Sequence, residues 1–189
     1  SMPVRSSEIP YFMATSVDIL KELKNEAIST GYILNPELVK EIDSILELFT
    51  FGGEEKYHEG SPYIFTKKFS SKKIILEDFE ARVTDKVSVT ELEKIVGNNI
   101  AVFNSKNFDD LCNQLPVIAR NQLENGVSKN LWYEEIVPRF SRFFQFTLIP
   151  QETNPFISRF VSELLEQKNT FQIGANATIG YGYCKLISL

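Results

Sequence analysis

Short apolar runs and amphipathic stretches follow one another along this chain in an irregular order, and that order limits the folds open to it. IPYFMATS, residues 9–16, is apolar and aromatic and reads as a strand. From Ser16 the period changes: Leu20, Leu23 and Ala27 share one helical face, Thr15 and Asp18 resemble a capping box, and Gly31 lies past the end. A second helix follows in NPELVKEIDSILELF, with Asn35 as its cap, Pro36 in its first turn and Leu38, Ile42, Ile45 and Phe49 as its stripe. Residues 50–62 are polar and glycine-rich and read as a loop. YIFTKKF and KIILEDFEARV read as strands around SSK, and Thr90 and Glu93 as a capping box opening a short helix. NIAVFN is a strand, NFDDLCNQL a short helix, RFFQFTLI an alternating strand, and NPFISRFVSELLEQKN the last helix. No regular strand–helix–strand rhythm emerges. The expected class is therefore α+β with a largely antiparallel sheet, in one domain over residues 1–189.

One segment carries a sharper signal. VIARNQLENGVSKNLWYEEIVP, residues 117–138, has two extended arms around Glu-Asn-Gly, which predicts a β-hairpin. Arg120, Lys129, Arg139 and Arg142 flank or line it, with Trp132 and Tyr133 among them. Cations interleaved with aromatics grip phosphates and stack bases, although a solvated rim has the same composition. The whole-chain charge of −5 gives no support to nucleic-acid binding and leaves a local basic face open. Lys67, Lys68, Lys72 and Lys73 form a second basic cluster.

Catalytic groups are sparse. His58 is the single histidine, between Glu55 and Glu59 in the polar loop, so neither a zinc site nor a histidine-activated nucleophile is favoured. Cys112 and Cys184 lack metal-ligand spacing and read as two buried, reduced thiols. Glu134 and Glu135 are consecutive, as are Glu77 and Asp78, so on a strand only one of each pair can enter a shared site. There is no 18-residue apolar run and no signal peptide, which points to the cytoplasm and away from a membrane. Ser1-Met2 reads as a tag-cleavage remnant before a start codon.

Near the C-terminus, FQIGANATIGYGYCKLI places Gly174, Gly180 and Gly182 between two apolar stretches. It lacks the Gly-Lys-Ser/Thr ending of a phosphate loop and the helix entry of a dinucleotide site. A turn of this kind either presents backbone N–H groups to a phosphate or lets another backbone approach closely.

Together these stretches resemble a known family. FQIGANATIGYGYCKL resembles the C-terminal glycine-rich signature of the RAMP superfamily of CRISPR-associated proteins. LWYEEIVP, PVRSSEIPYFMATSVDIL and IILEDFEARV are similar to segments of one branch, the backbone subunit of the subtype III-B Cmr complex, and occur in its order. There are departures. Gly174-Ala175 stands where the family has paired glycines, and Ile136 where it often has tyrosine. The family's first strand, its aspartate-bearing loop and its GSSLKG-like helix start have no counterpart, so the chain resembles the C-terminal two-thirds of the family fold.

The resemblance implies an RRM-like, ferredoxin-like palm with a helical insertion over about residues 16–62 and a thumb hairpin over about residues 116–138. It implies copies stacked as a filament along a CRISPR guide RNA, other Cmr subunits as partners, and a thumb that kinks the guide–target RNA duplex. The family cleaves target RNA beside each kink with Mg²⁺ or another divalent metal. Arg5, Arg120, Lys129, Trp132, Gly180, Gly182 and Lys185 become the expected RNA contacts. Glu134 becomes the assisting acid, with Tyr133 and Glu135 beside it, and no residue is assigned as a metal ligand. With the family's aspartate absent from the chain, little or no cleavage by it alone is expected. The rival readings are a stand-alone guide-RNA-processing ribonuclease and a purely structural interaction module.

Overall fold

A computed structural model describes residues 1–51, 54–55, 61–66, 69, 73–148, 154–166 and 170–187. His58, Lys67, Lys68 and Lys72 lie outside the described residues. The chain divides into two compact units, Ser1–Phe146 and Thr147–Leu189.

The first unit opens with β1 (Met2–Arg5) and β2 (Tyr11–Ser16), then α1 (Val17–Thr30) and α2 (Pro36–Phe49). A short pair, β3 (Thr50–Phe51) and β4 (Glu54–Glu55), precedes β5 (Tyr63–Phe65), β6 (Ile74–Leu76) and β7 (Phe79–Thr84). Then come α3 (Thr90–Val96), β8 (Ile100–Phe103), α4 (Ser105–Cys112) and the arms β9 (Val117–Glu124) and β10 (Val127–Glu135). Six strands form one sheet in the order β1-β2-β8-β5-β7-β6. β2 runs parallel to β8 and β5 parallel to β7, while the other three pairings are antiparallel. The sheet is thus mixed rather than largely antiparallel. β5 and β7 run parallel because β6 intervenes between them in the chain, and β2 and β8 because the whole stretch from α1 to α3 separates them; hairpin neighbours alone give only antiparallel pairs.

Both faces of this sheet are covered, and the central sequence shows why. Ile100, Ala101, Val102 and Phe103 are all buried, so β8 reads as an unbroken apolar run. Ile100 and Val102 join one core with Leu20 and Leu23 of α1, Ile42 and Ile45 of α2 and Leu92 of α3. Ala101 and Phe103 join a second core with Phe12, Ile64, Leu76 and Phe108. Each face thus receives alternate residues of the same strands, the period-2 geometry of a pleated chain.

The outer strands do not stay apart. Ser6, just past β1, bridges to Leu76 of β6. Ser7 N–H donates to the Ile75 carbonyl at 3.0 Å, and Glu77 N–H donates to the Arg5 carbonyl at 3.1 Å. The sheet therefore curls until its first and last strands meet, which removes part of the exposed edge an open sheet would present.

Several local expectations are corrected. Ser16, not Thr15, caps α1: its hydroxyl accepts from Ile19 N–H at 3.2 Å, while Thr15 is fully buried in β2. KIILEDFEARV is not one strand but the hairpin β6–β7, turning at Glu77-Asp78 with Glu77 at φ 50°. Thr90 forms no side-chain cap on α3. That role falls to Glu41 of α2, buried at 8% exposure, whose Oε2 accepts from Glu91 and Leu92 N–H at 2.9 Å each. RFFQFTLI forms no strand over its described part. Its alternation does correspond to burial, with Phe144 and Phe146 against the first core and Phe143 82% exposed, but among the described residues no strand pairs with it. Arg142 fixes the segment by donating to the Lys94 and Ile95 carbonyls at the end of α3, at 3.2 and 3.1 Å. Cys112 is exposed rather than buried.

The second unit holds α5 (Pro155–Glu166), β11 (Thr170–Gln172), a 3-10 turn (Ala177–Ile179) and β12 (Tyr183–Lys185). Asn154 caps α5 through its side chain, which accepts from Phe156 N–H at 2.9 Å.

Because one carboxylate from α2 satisfies two amides that open α3, Glu41→Ala leaves two donors without partners in a packed region. We expect an unfolding free energy lower by about 2–3 kcal/mol. Glu41→Gln, which keeps one acceptor, should lose less. Urea denaturation measures both, and an unchanged midpoint for Glu41→Ala would contradict the assignment.

Candidate nucleic-acid interface

The hairpin forms because Asn125 and Gly126 accept left-handed backbone, at φ 53° and 81°, as a two-residue turn between twisted strands requires. The register pairs Trp132 with Arg120, Tyr133 with Ala119 and Glu134 with Ile118. A register shift between Ser128 and Asn130 leaves Lys129 as a bulge, and its Nζ lies 2.6 Å from Glu124 Oε2.

This register sorts the predicted residues onto two faces. Arg120, Trp132 and Glu134 share one. There Arg120 Nε donates to Glu134 Oε2 at 3.1 Å, and Trp132 Nε1 donates to Glu134 Oε1 at 2.9 Å. Tyr133 and Glu135 lie on the other face with Leu131, Leu123 and Val117. Tyr133 is 68% exposed, and Leu131, Leu123 and Val117 are also exposed. As consecutive residues of a strand, Glu134 and Glu135 face opposite sides: Glu134 has both oxygens engaged, and Tyr133 and Glu135 lie on the other face. These side chains do not fit a divalent metal, which takes several oxygen ligands on one side. Among the described residues, no three His, Cys, Asp or Glu side chains gather to hold one.

The other predicted contacts are equally specific in their placement. Arg5 holds the closing edge of the sheet. Its Nε and Nη2 donate to Glu77 Oε2 at 2.9 and 2.7 Å, and its backbone N–H donates to Oε1 at 2.7 Å. Burial pushes the Glu77 carboxyl up, but the hydrogen bonds from Arg5 and its charge outweigh that and hold it below the ordinary carboxylate value. Arg5, Arg120 and Lys129 thus each carry a carboxylate partner, which reduces their pull on a phosphate. Lys185 is exposed on β12, opposite Thr170, with no acidic partner among the described residues.

The glycine turn is largely self-satisfied. Ile179 and Tyr181 N–H both donate to the Asn176 carbonyl, and Gly180 N–H donates to the Ala177 carbonyl at 3.1 Å. Gln172 Nε2 ties the turn together through the Ala177 and Tyr181 carbonyls, at 3.0 and 3.2 Å. A phosphate cradle built on the Gly180 amide is therefore replaced by an internal bond. Gly182 serves the alternative role: a Cβ there would collide with the Ile173 carbonyl oxygen.

Sequence reasoning also missed a feature of the first unit. Tyr11 and Phe140 stack with ring centroids 6.2 Å apart, and the Arg139 guanidinium lies 5.5 Å from the Phe140 centroid. Phe140 lies just before the alternating aromatic stretch, and nothing in Pro-Arg-Phe-Ser marks its left-handed backbone.

We expect Gly182→Ala to disrupt the β11–β12 pairing, and Gly180→Ala, with open space around its Cβ, to cost only about 1 kcal/mol of left-handed strain. Amide hydrogen exchange at Ile173, which donates to the Gly182 carbonyl at 3.0 Å, reports the difference. Equal protection of Ile173 in both variants would contradict the close-approach role.

Known proteins share this fold. The sequence model of the RAMP superfamily matches residues 20–185. No curated protein matches by sequence. Among solved structures, a chain of the type III-B Cmr-beta complex bound to cognate target RNA aligns with a TM-score of 0.67 at 19% identity, covering 97% of this chain and 65% of that one. Oligomeric Cmr4 from Pyrococcus furiosus aligns at 0.62 and 20% identity, covering 97% of this chain and 67% of its own. The Cmr-beta apo state gives 0.64 and 19%, again over 97% and 65%. This chain therefore spans about two thirds of the length of these neighbours, and at such identity the likeness concerns the fold. The family match, which runs through both units, is broader in meaning: the chain belongs to the RAMP superfamily.

Proposed function

We propose that this chain is a guide-RNA-binding filament subunit of a type III-B CRISPR effector. The observation that carries the reading is the exposed hairpin Val117–Glu135, borne on a fold that aligns over nearly its whole length with Cmr subunits. A two-stranded ribbon is marginal by itself in water, so an exposed one with Val117, Leu123, Leu131 and Tyr133 on one face needs something to bury it. Apolar and aromatic side chains of this kind enter between base steps when a protein kinks a duplex, repaying the cost of unstacking with new contact area. Trp132 on the opposite face, anchored by Glu134, adds an oriented aromatic surface. Contacts of this type follow shape and stacking, as a subunit serving guides of any sequence requires.

Cleavage by this chain alone is not part of the proposal. Glu134 is committed to Arg120 and Trp132, and among the described residues no three His, Cys, Asp or Glu side chains gather to hold a divalent metal. The pairing of Arg5, Arg120 and Lys129 with carboxylates, together with the charge of −5, favours a second reading, a structural module that joins protein subunits without gripping RNA. Among the described residues no helix is long and apolar enough to cross a membrane.

Fluorescence anisotropy with single-stranded RNAs of unrelated sequence separates the two. The filament-subunit reading predicts similar affinities across sequences, each falling about tenfold or more between 50 and 200 mM salt. No binding at low salt would favour the structural module.

A further inference from the structure

We propose that the stacked rings of Tyr11 and Phe140, with the Arg139 guanidinium against Phe140, form a platform that takes an unpaired RNA nucleobase. The inference rests on the RNA-binding reading above and adds a subsite to it.

The backbone draws attention to this position. Ser141 N–H donates to the Pro138 carbonyl at 3.2 Å, closing a turn over Pro138–Ser141. Phe140 is the third residue of that turn and has φ 70°. A turn with positive φ there normally carries glycine or asparagine, because a Cβ strains the left-handed region. A phenylalanine at such a position is rare, and held strain of this sort gathers at functional sites. Burial does not compensate: Phe140 is 65% exposed and Tyr11 39% exposed. The ring is thus held in an unfavoured backbone conformation while most of it stays in water.

What the turn presents is specific. The two rings are nearly parallel, 13° apart, and both keep part of their surface in water, so flat π surface remains for a third ring. Arg139 lies 5.5 Å over the Phe140 centroid, and its guanidinium has hydrogen-bond donors for a base edge or a phosphate. Arg5 is the register partner of Tyr11 and, although bound to Glu77, its side chain remains 88% exposed. Aromatic faces beside guanidinium groups are the chemistry that stacks a base of any identity and holds its backbone.

Phe140→Gly provides the test, because glycine suits the turn and removes only the ring. Binding of a 12-nucleotide single-stranded RNA is measured by anisotropy, beside a strand of the same length carrying abasic riboses. We expect Phe140→Gly to keep or raise the melting temperature while its affinity for the base-bearing strand falls about tenfold. Affinity for the abasic strand should not change, and Phe140→Tyr should bind as the parent does. If Phe140→Gly matches the parent on the base-bearing strand, the platform is overturned and RNA binding stands. An equal loss on both strands also overturns it, since the base would not be what the ring holds. A parent chain that binds neither strand overturns the RNA-binding reading, and the platform with it.

Discussion

The meeting of the sheet's two outer strands sets the form of the first unit. β1 and β6 stand at opposite ends of the strand order, yet residues 5–7 bond to residues 75–77 through backbone groups. Arg5 fastens the junction by placing three donors on the Glu77 carboxylate. Once the edges meet, one side of the sheet encloses Phe12, Ile64, Leu76 and Phe103 with α4, while the other side remains available to α1, α2 and α3. Two cores on one sheet explain why β2 and β8 are apolar on both faces. They also explain why a chain with ordinary composition buries its central strands so completely.

The same junction changes how charge on this molecule is read. Arg5 lies in a segment that resembles one of the family's, and its charge is answered by a residue 72 positions away. Arg120 and Lys129 are answered within the hairpin itself. Surface pairs of this kind contribute about 0–1 kcal/mol to stability, so their larger consequence is for recognition. A phosphate must compete with the carboxylate already in place, and aromatic and apolar contacts carry correspondingly more of any affinity for RNA. The exposed face of the hairpin and the Tyr11–Phe140 stack are surfaces of that type.

Much of this was legible in the sequence. Helix stripes such as Leu38, Ile42, Ile45 and Phe49 stand out because one helix face meets one core, and Asn-Gly marks the hairpin turn because few residue pairs accept that backbone. The glycine-rich stretch announced a tight turn between strands. Which of its two roles each glycine plays depended on Ile173, whose carbonyl comes within reach of Gly182 only after folding. What escaped the sequence was non-local. Glu41 caps a helix 50 residues later, Glu77 selects Arg5, and Glu134 is drawn to Arg120 across the ladder. No local pattern encodes those partners. In the segment after the hairpin, the alternation of Phe144 and Phe146 with exposed Phe143 likewise described side-chain direction correctly. It said nothing about whether a neighbouring strand would be there to pair with.

A filament subunit must do more than bind RNA: copies must add along it at a fixed spacing. Native mass spectrometry of this chain with single-stranded guide-like RNAs of increasing length measures that directly. The account predicts that the number of bound copies rises in regular steps as the RNA lengthens. A single copy on every length, or protein assemblies that form without RNA and ignore its length, would contradict it.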